Sequence, residues 1–291
     1  MRCAPKCIAS ILLLSQAVLA SAATIVEFPF TWRAGLIWLQ VEGPRGGKPL
    51  NFILDSGVEY SMLDLASARR LNMGIGQPIA VRAMNTASSG YLTESWRARV
   101  AGVYSMTNRL AMDLSALSAD CHHQVDGLIG AEFFAGHIVQ IDFAKERIRL
   151  LQNYQPADKA EVLPLQIRAR QIRIPVEVIG LGKGLARLNT GCASSLRWSV
   201  TKSMLASPDA PKPQGAGVTN LIVRKNTQSV RLGSLTLEDV PTGLQSEAML
   251  AGEGGMMGAG LLSRFSIVTI DEPSGHLILE GLLKPKPPAR P

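Results

Sequence analysis

Residues Leu50–Leu63, LNFILDSGVEYSML, carry an alternating apolar segment directly into Asp55, Ser56 and Gly57. A carboxylate thus sits where a strand ends and a tight turn begins, a setting in which an acid can be held still enough for acid–base work. The plain alternative is a turn, since Asp, Ser and Gly are favoured there for local hydrogen bonding and backbone freedom. A second tripeptide of the same form, Asn189-Thr190-Gly191, follows the strand-like GLARL. Its amide donates hydrogen bonds but cannot take up or relay a proton. A third group, Asp120, Cys121, His122 and His123 in DCHHQVD, has the residue types of a metal site. Its members are adjacent, so in an extended segment they point to opposite faces, and neither C-x-x-C nor H-x-x-x-H spacing accompanies them. It is read as a polar loop, and no metal or other cofactor is expected. Glu59, beside the first turn, is read as solvated.

The elements around the two turns repeat. EFPFTWRAGLIWLQVEG from Glu27 is echoed by VLPLQIRARQIRIPVEVIG from Val162. Each copy continues as strand, Gly-rich turn and strand into its tripeptide, with Ser61 and Ser195 six residues beyond Asp55 and Asn189. VDGLIGAEFF (125–134) matches EGGMMGAGLL (253–262), and QIDFAKERIRLL matches TIDEPSGHLILE, where Ile141-Asp142 and Ile270-Asp271 each open a hairpin. Matched blocks in one order mark an internal duplication. The runs are short, rich in Val, Ile and Leu, and broken by Gly or Pro, which is a β pattern. Helix is predicted only over Ser61–Met73 and as single short helices at GAEFFAGH and GAGLLSRF. The expected fold class is all-β, with one lobe over 23–155, a second over 160–281, and a polar, Pro-containing link at NYQPADKAE.

Residues 1–22 read as an export signal: Arg2 and Lys6, an apolar run Ile8–Ala20, and the small-residue site Ala20-Ser21-Ala22. The run is short for a bilayer span, and no later segment has the roughly 20 apolar residues of a membrane helix. No Cys follows the cleavage site to carry a lipid. The expectation is an exported protein, periplasmic or secreted, that begins near Ala23 and ends in a Pro-rich basic tail over 282–291. The formal charge of +7 falls to about +5 without the signal. These charges are scattered among acids, which together with export argues against a nucleic-acid partner. Cys121 and Cys192 are the cysteines left after the signal. An oxidising compartment permits a bridge between them, and spacing alone decides neither for nor against it.

A hydrophobic strand ending in D-[ST]-G, a helix, a hairpin region, an apolar-apolar-Gly segment opening a short helix and a closing I-D hairpin resemble the retropepsin-like aspartic proteases. Their occurrence twice in one chain resembles the two-lobed, pepsin-like arrangement, and the resemblance covers nearly all of the chain after the signal. It implies two homologous, closed β-barrel-like lobes with a cleft between them, in which Asp55 and the residue at position 189 form the catalytic pair. Ser56 and Thr190 would cross-bond to hold the two turns, and Gly57 and Gly191 would leave clear the amides that support the carboxylates or supply a φ above zero. LIG (128–130) and MMG (256–258) would pass under the turns. IAVRAMNTASSGYLTESW (79–96) would be a flap over bound peptide, its tip within Thr86–Tyr91 and so including Thr86, Ser88, Gly90 and Tyr91. Val58 and Cys192, where the family usually has Ala or Ser, would line the cleft, Val58 narrowing one subsite.

The pattern breaks at Asn189. Aspartic proteases use two carboxylates that share one proton, one as base on a trapped water and one as donor to the scissile carbonyl. Asn189 can imitate only the donor. General acid–base assistance is worth about 10²- to 10⁴-fold per step, so an impaired enzyme is expected. Three readings follow. One is an exported peptidase that works with the Asp55/Asn189 pair or borrows a group, for instance by pairing Asp55 turns across a homodimer. Another is a pseudoprotease that binds an extended peptide as an added strand without cutting it. The third is a structural envelope protein. A peptide or protein is the expected partner in the first two, and the oligomeric state is left open.

Overall fold

The computed structural model describes residues 23–43, 47–83, 86–201, 224–246 and 252–283. The signal read at 1–22, most of the basic tail and the side chains of Thr86 and Ser88 lie outside the described residues. The described chain is all-β. Its first half runs β1 (Thr24–Pro29), β2 (Thr31–Arg33), β3 (Leu36–Glu42), β4 (Leu50–Leu54), β5 (Met62–Asp64), α1 (Leu65–Arg70), β6 (Ile75–Ala83), β7 (Thr86–Val100), β8 (Tyr104–Met112), α2 (Ser115–Asp120), β9 (Gly127–Ile129), a 3₁₀ turn at Ala131–Phe133, β10 (Ile138–Asp142) and β11 (Arg147–Leu151). The second half runs β12 (Glu161–Pro164), β13 (Gln166–Arg168), β14 (Gln171–Val178), β15 (Gly182–Asn189), β16 (Leu196–Ser199), β17 (Arg224–Leu232), β18 (Leu235–Gln245), β19 (Gly255–Gly258), α3 (Ala259–Leu262), β20 (Phe265–Asp271) and β21 (His276–Leu282). Among the described residues no helix is long and apolar enough to cross a membrane.

The duplication is visible in the pairing. An eight-stranded sheet of order β2-β3-β4-β9-β5-β8-β7-β6 comes wholly from the first half, and a seven-stranded sheet of order β13-β14-β15-β19-β16-β18-β17 wholly from the second. In the first, β4 runs parallel to β9 with Phe52 opposite Gly127; in the second, β15 runs parallel to β19 with Ala186 opposite Gly255. The third sheet, β1-β11-β10-β20-β21-β12, draws on both halves and joins them through the antiparallel pair β10–β20. Its two I-D hairpins close alike: the Asp142 carboxylate accepts the Lys145 amide and the Asp271 carboxylate the Ser274 amide, each at 2.9 Å. One buried core runs through both halves, from Phe28, Leu39 and Phe133 to Leu188, Leu237 and Val268. A smaller apolar cluster around Trp38, Ile53 and Leu128 belongs to the first half alone.

Local chemistry corrects two expectations. The helix predicted over Ser61–Met73 is confined to Leu65–Arg70, because Met62 and Leu63 join the sheet beside β9 and the Asp64 carboxylate caps the helix by accepting the Ser67 amide at 2.9 Å. The chain then leaves the helix at Asn72, in the left-handed region at φ 52°. GAEFFAGH forms only the 3₁₀ turn, whereas GAGLLSRF contains α3. The link after β11 has no regular structure and is held by the Glu280 carboxylate, which accepts both the Tyr154 hydroxyl and the Ala157 amide.

Candidate functional site

The D-S-G and N-T-G turns meet. The Ser56 amide donates to the Thr190 hydroxyl (2.9 Å), which donates to the Leu54 carbonyl (2.8 Å). In return the Thr190 amide donates to the Ser56 hydroxyl (3.1 Å), which donates to the Leu188 carbonyl (3.0 Å). Both side chains are fully buried, so each hydroxyl completes an amide and a carbonyl that no water reaches. Underneath, the Ala131 amide donates to the Val58 carbonyl and the Ala259 amide to the Cys192 carbonyl, both at 2.8 Å. The LIG and MMG segments thus tie down the two turns in the same way.

Gly57 and Gly191 are required by close approach, since neither lies in the left-handed region. A Cβ on Gly57 would fall 2.4 Å from the Asn189 Nδ2, and one on Gly191 would fall 2.2 Å from the Asp55 Cγ. Each of these side chains therefore rests on the other half's glycine, which brings Asp55 and Asn189 into one place.

Burial pushes the Asp55 carboxyl up to about 6. The Gly57 and Gly191 amides and the charge of Arg187 pull it down, but by less than desolvation raises it. The Gly57 amide donates to the Asp55 Oδ1 at 2.8 Å. Asn189 is also buried; its Nδ2 donates to the weak acceptor Met256 Sδ at 3.3 Å, and its Oδ1 has no partner among the described residues. A half-turn of the amide exchanges the two ends, so Asn189 can meet a ligand as donor or acceptor. The pair offers one base that ionises near neutrality and one neutral hydrogen-bonding group.

The remaining sequence-predicted residues divide. Val58 is half-buried and packs on the apolar cluster around Trp38 and Ile53, as does Val81 of β6. Cys192 is half-buried with its Sγ 2.9 Å from the Ser194 Oγ, and Cys121 is buried; both are free thiols, so the bridge left open by the sequence is not formed. The expected position of the hairpin tip is corrected. Ala83 pairs with Thr86 and Val81 with Ser88, while Gly90 pairs with both Ile79 and Met112 and Tyr91 with Pro78 and Ala111. The chain therefore reverses before Thr86, and Thr86–Tyr91 is the returning strand. Gly90 is needed for packing, since a Cβ there would lie 2.5 Å from the Val81 Cγ2.

In DCHHQVD the side chains are committed apart from one another: Cys121 to the apolar cluster, His123 edge-on to Trp38 at 5.1 Å, and Asp126 to Arg70 and the Ser67 hydroxyl at 2.8 and 2.7 Å. Glu59 is exposed.

Sequence reasoning passed over a charged cluster behind Asn189. The buried Glu253 carboxylate accepts the Arg187 Nη2 at 3.0 and 2.9 Å on its two oxygens and the Arg173 Nε at 2.7 Å. The signal was present, because Arg187 and Arg173 stand where the first copy has Ile53 and Trp38. Comparison with known family models and with curated proteins finds no match to this chain.

Proposed function

We propose that the chain is a two-lobed, aspartic-protease-like protein that takes an extended peptide across Asp55 and Asn189, with Asp55 as the single general base of peptide hydrolysis. The observation that carries this reading is the reciprocal Ser56/Thr190 bonding, which holds equivalent turns of duplicated halves so that Asp55 and Asn189 each lie on the other's glycine. On this reading the lobes 23–155 and 160–281 border a cleft, and the β6–β7 hairpin covers it. Ionised Asp55 takes a proton from water as the water attacks the peptide carbonyl, and later returns it to the departing amine. Asn189 donates to the carbonyl oxygen while negative charge develops there. Export is part of the proposal and rests on the N-terminal sequence.

A second reading, peptide binding without cleavage, is favoured by Asn189 itself, since the amide cannot share a proton with Asp55. Incubation with a diverse peptide library from pH 4 to 8, read by mass spectrometry, separates the two. Hydrolysis is expected to be slow, to rise once around pH 6 as Asp55 ionises, to stay flat above, and to vanish in Asp55→Ala. Asn189→Asp adds a second titrating carboxylate, which should turn the profile into a bell on the acid side and raise the rate by up to about 10²- to 10⁴-fold. Bound but intact peptides, with no gain from Asn189→Asp, select the binding module. Peptides neither bound nor cut discard both readings.

A further inference from the structure

The duplicated sheets allow the two flanks of the Asp55/Asn189 pair to be compared position by position. Directly opposed residues on neighbouring strands share a face of their sheet. In the first half one such row crosses β3, β4, β9 and β5 as Trp38, Ile53, Leu128 and Met62. In the second half the equivalent row crosses β14, β15, β19 and β16 as Arg173, Arg187, Met256 and Arg197. An all-apolar row is thus matched by one with three arginines.

Both rows belong to the face that carries the pair. Asp55 and Asn189 follow Ile53 and Arg187 by two residues, which returns a strand's side chains to the same side. The Met256 sulfur accepts the Asn189 amide, and Val58, next to the D-S-G turn, packs on the apolar cluster to which Trp38 and Ile53 belong. On the same face of β14, Gln171 replaces Leu36, and its buried Oε1 has no partner among the described residues.

The arginine row is not neutralised from within. Arg173 and Arg187 share one carboxylate, Glu253, so with Arg197 the row carries two charges more than Glu253 offsets, and ionised Asp55 offsets only one of them. Arg197 is half-buried and has no acidic partner among the described residues. Arg173 reaches Glu253 through its Nε, and among the described residues its Nη1 makes only a 3.5 Å contact with the Arg168 carbonyl. Guanidinium forks desolvated in this way are suited to a planar carboxylate.

We propose that this wall recognises a carboxylate, so that the preferred peptide places an acidic group on the second-half side of Asp55 and an apolar side chain on the first-half side. The inference rests on the peptide-binding reading above and gives that site a direction.

The test titrates the full chain at pH 7 with fluorescent, N-acetylated, C-amidated apolar peptides that carry either Glu or Gln at a single position, moved stepwise along the peptide. At one position the Glu peptide should bind about tenfold more tightly than the Gln peptide, with a smaller difference at high salt. Arg197→Gln should cancel the difference and Arg197→Lys should keep part of it, with circular dichroism and melting checked for both. Arg197 is the choice because its loss leaves Glu253 paired. A preference that emerges only when the C terminus is left free assigns the recognised carboxylate to the chain end and supports the same wall. Equal binding of Glu and Gln peptides at every position, together with equal binding of amidated and free C termini, overturns the acidic preference and leaves peptide binding standing. Failure of every peptide to bind overturns both.

Discussion

Asp55 is held at a disadvantage to the fold. Its carboxyl titrates near 6 in the native state against an ordinary 3.8 because burial penalises the anion. The native protein therefore binds this proton more tightly than the unfolded chain, and stability falls as the pH rises from about 4 through about 6. Above that range the penalty is constant at about 3 kcal/mol, since each tenfold gain in proton affinity corresponds to about 1.4 kcal/mol. Asp55→Asn keeps an acceptor for the Gly57 amide and removes the charge. It is expected to melt higher than the native protein at pH 8 and to match it near pH 4. Equal melting at both pH values would mean that Asp55 ionises without desolvation, and the raised pH midpoint proposed for activity would go with it. A buried carboxyl destabilising its own fold at neutral pH is the pattern of a group retained for its chemistry.

At the scale of elements, two turns from distant parts of the chain are joined by two hydroxyls. Thr190→Val would leave the Ser56 amide and the Leu54 carbonyl unpartnered in a buried place, at about 2–4 kcal/mol. Thr190→Ser restores both bonds and should lose far less, as denaturant unfolding at constant slope can establish. These turns were legible in the sequence because each is a local motif with a repeated context, and so were the strands that lead into them. The short helix was over-read because Asp64 looks like one more residue of an amphipathic run until its carboxylate is seen capping the Ser67 amide. The tip of the β6–β7 hairpin was misplaced because a glycine needed for clearance from Val81 reads, in sequence, like a glycine needed for a turn. The arginine row was missed for a different reason: Arg173, Arg187 and Arg197 lie on three strands, and nothing local says which strands are neighbours.

At the scale of the molecule, the same blindness to non-local pairing hides how far the halves depend on each other. The sequence divides the chain at the link after β11, yet β10 has β11 on one side and β20 on the other, with Val139, Ile141, Val268 and Ile270 all fully buried. Separating the halves would bare two central strands as sheet edges, a direct route to aggregation. It would also open the core that runs from Phe28 to Val268 and expose Ser56, Thr190, Asp55 and Asn189. Fragments 23–157 and 158–291, prepared separately, are therefore expected to show β structure without a cooperative melt or fixed near-ultraviolet circular dichroism. Refolded together, they should elute as one species of native size and recover the melt, because the cut falls in the irregular link and the Tyr154 and Ala157 bonds to Glu280 can form again between the fragments. A first-half fragment that melts cooperatively as a monomer would show that β10 does not need β20. One that folds only as a dimer would show that the paired-turn arrangement can be rebuilt from two copies of D-S-G, with Asp55 facing Asp55. Such a dimer would lack the arginine wall altogether, so comparing its peptide preference with that of the whole chain separates what the duplicated architecture supplies from what the second half acquired by diverging.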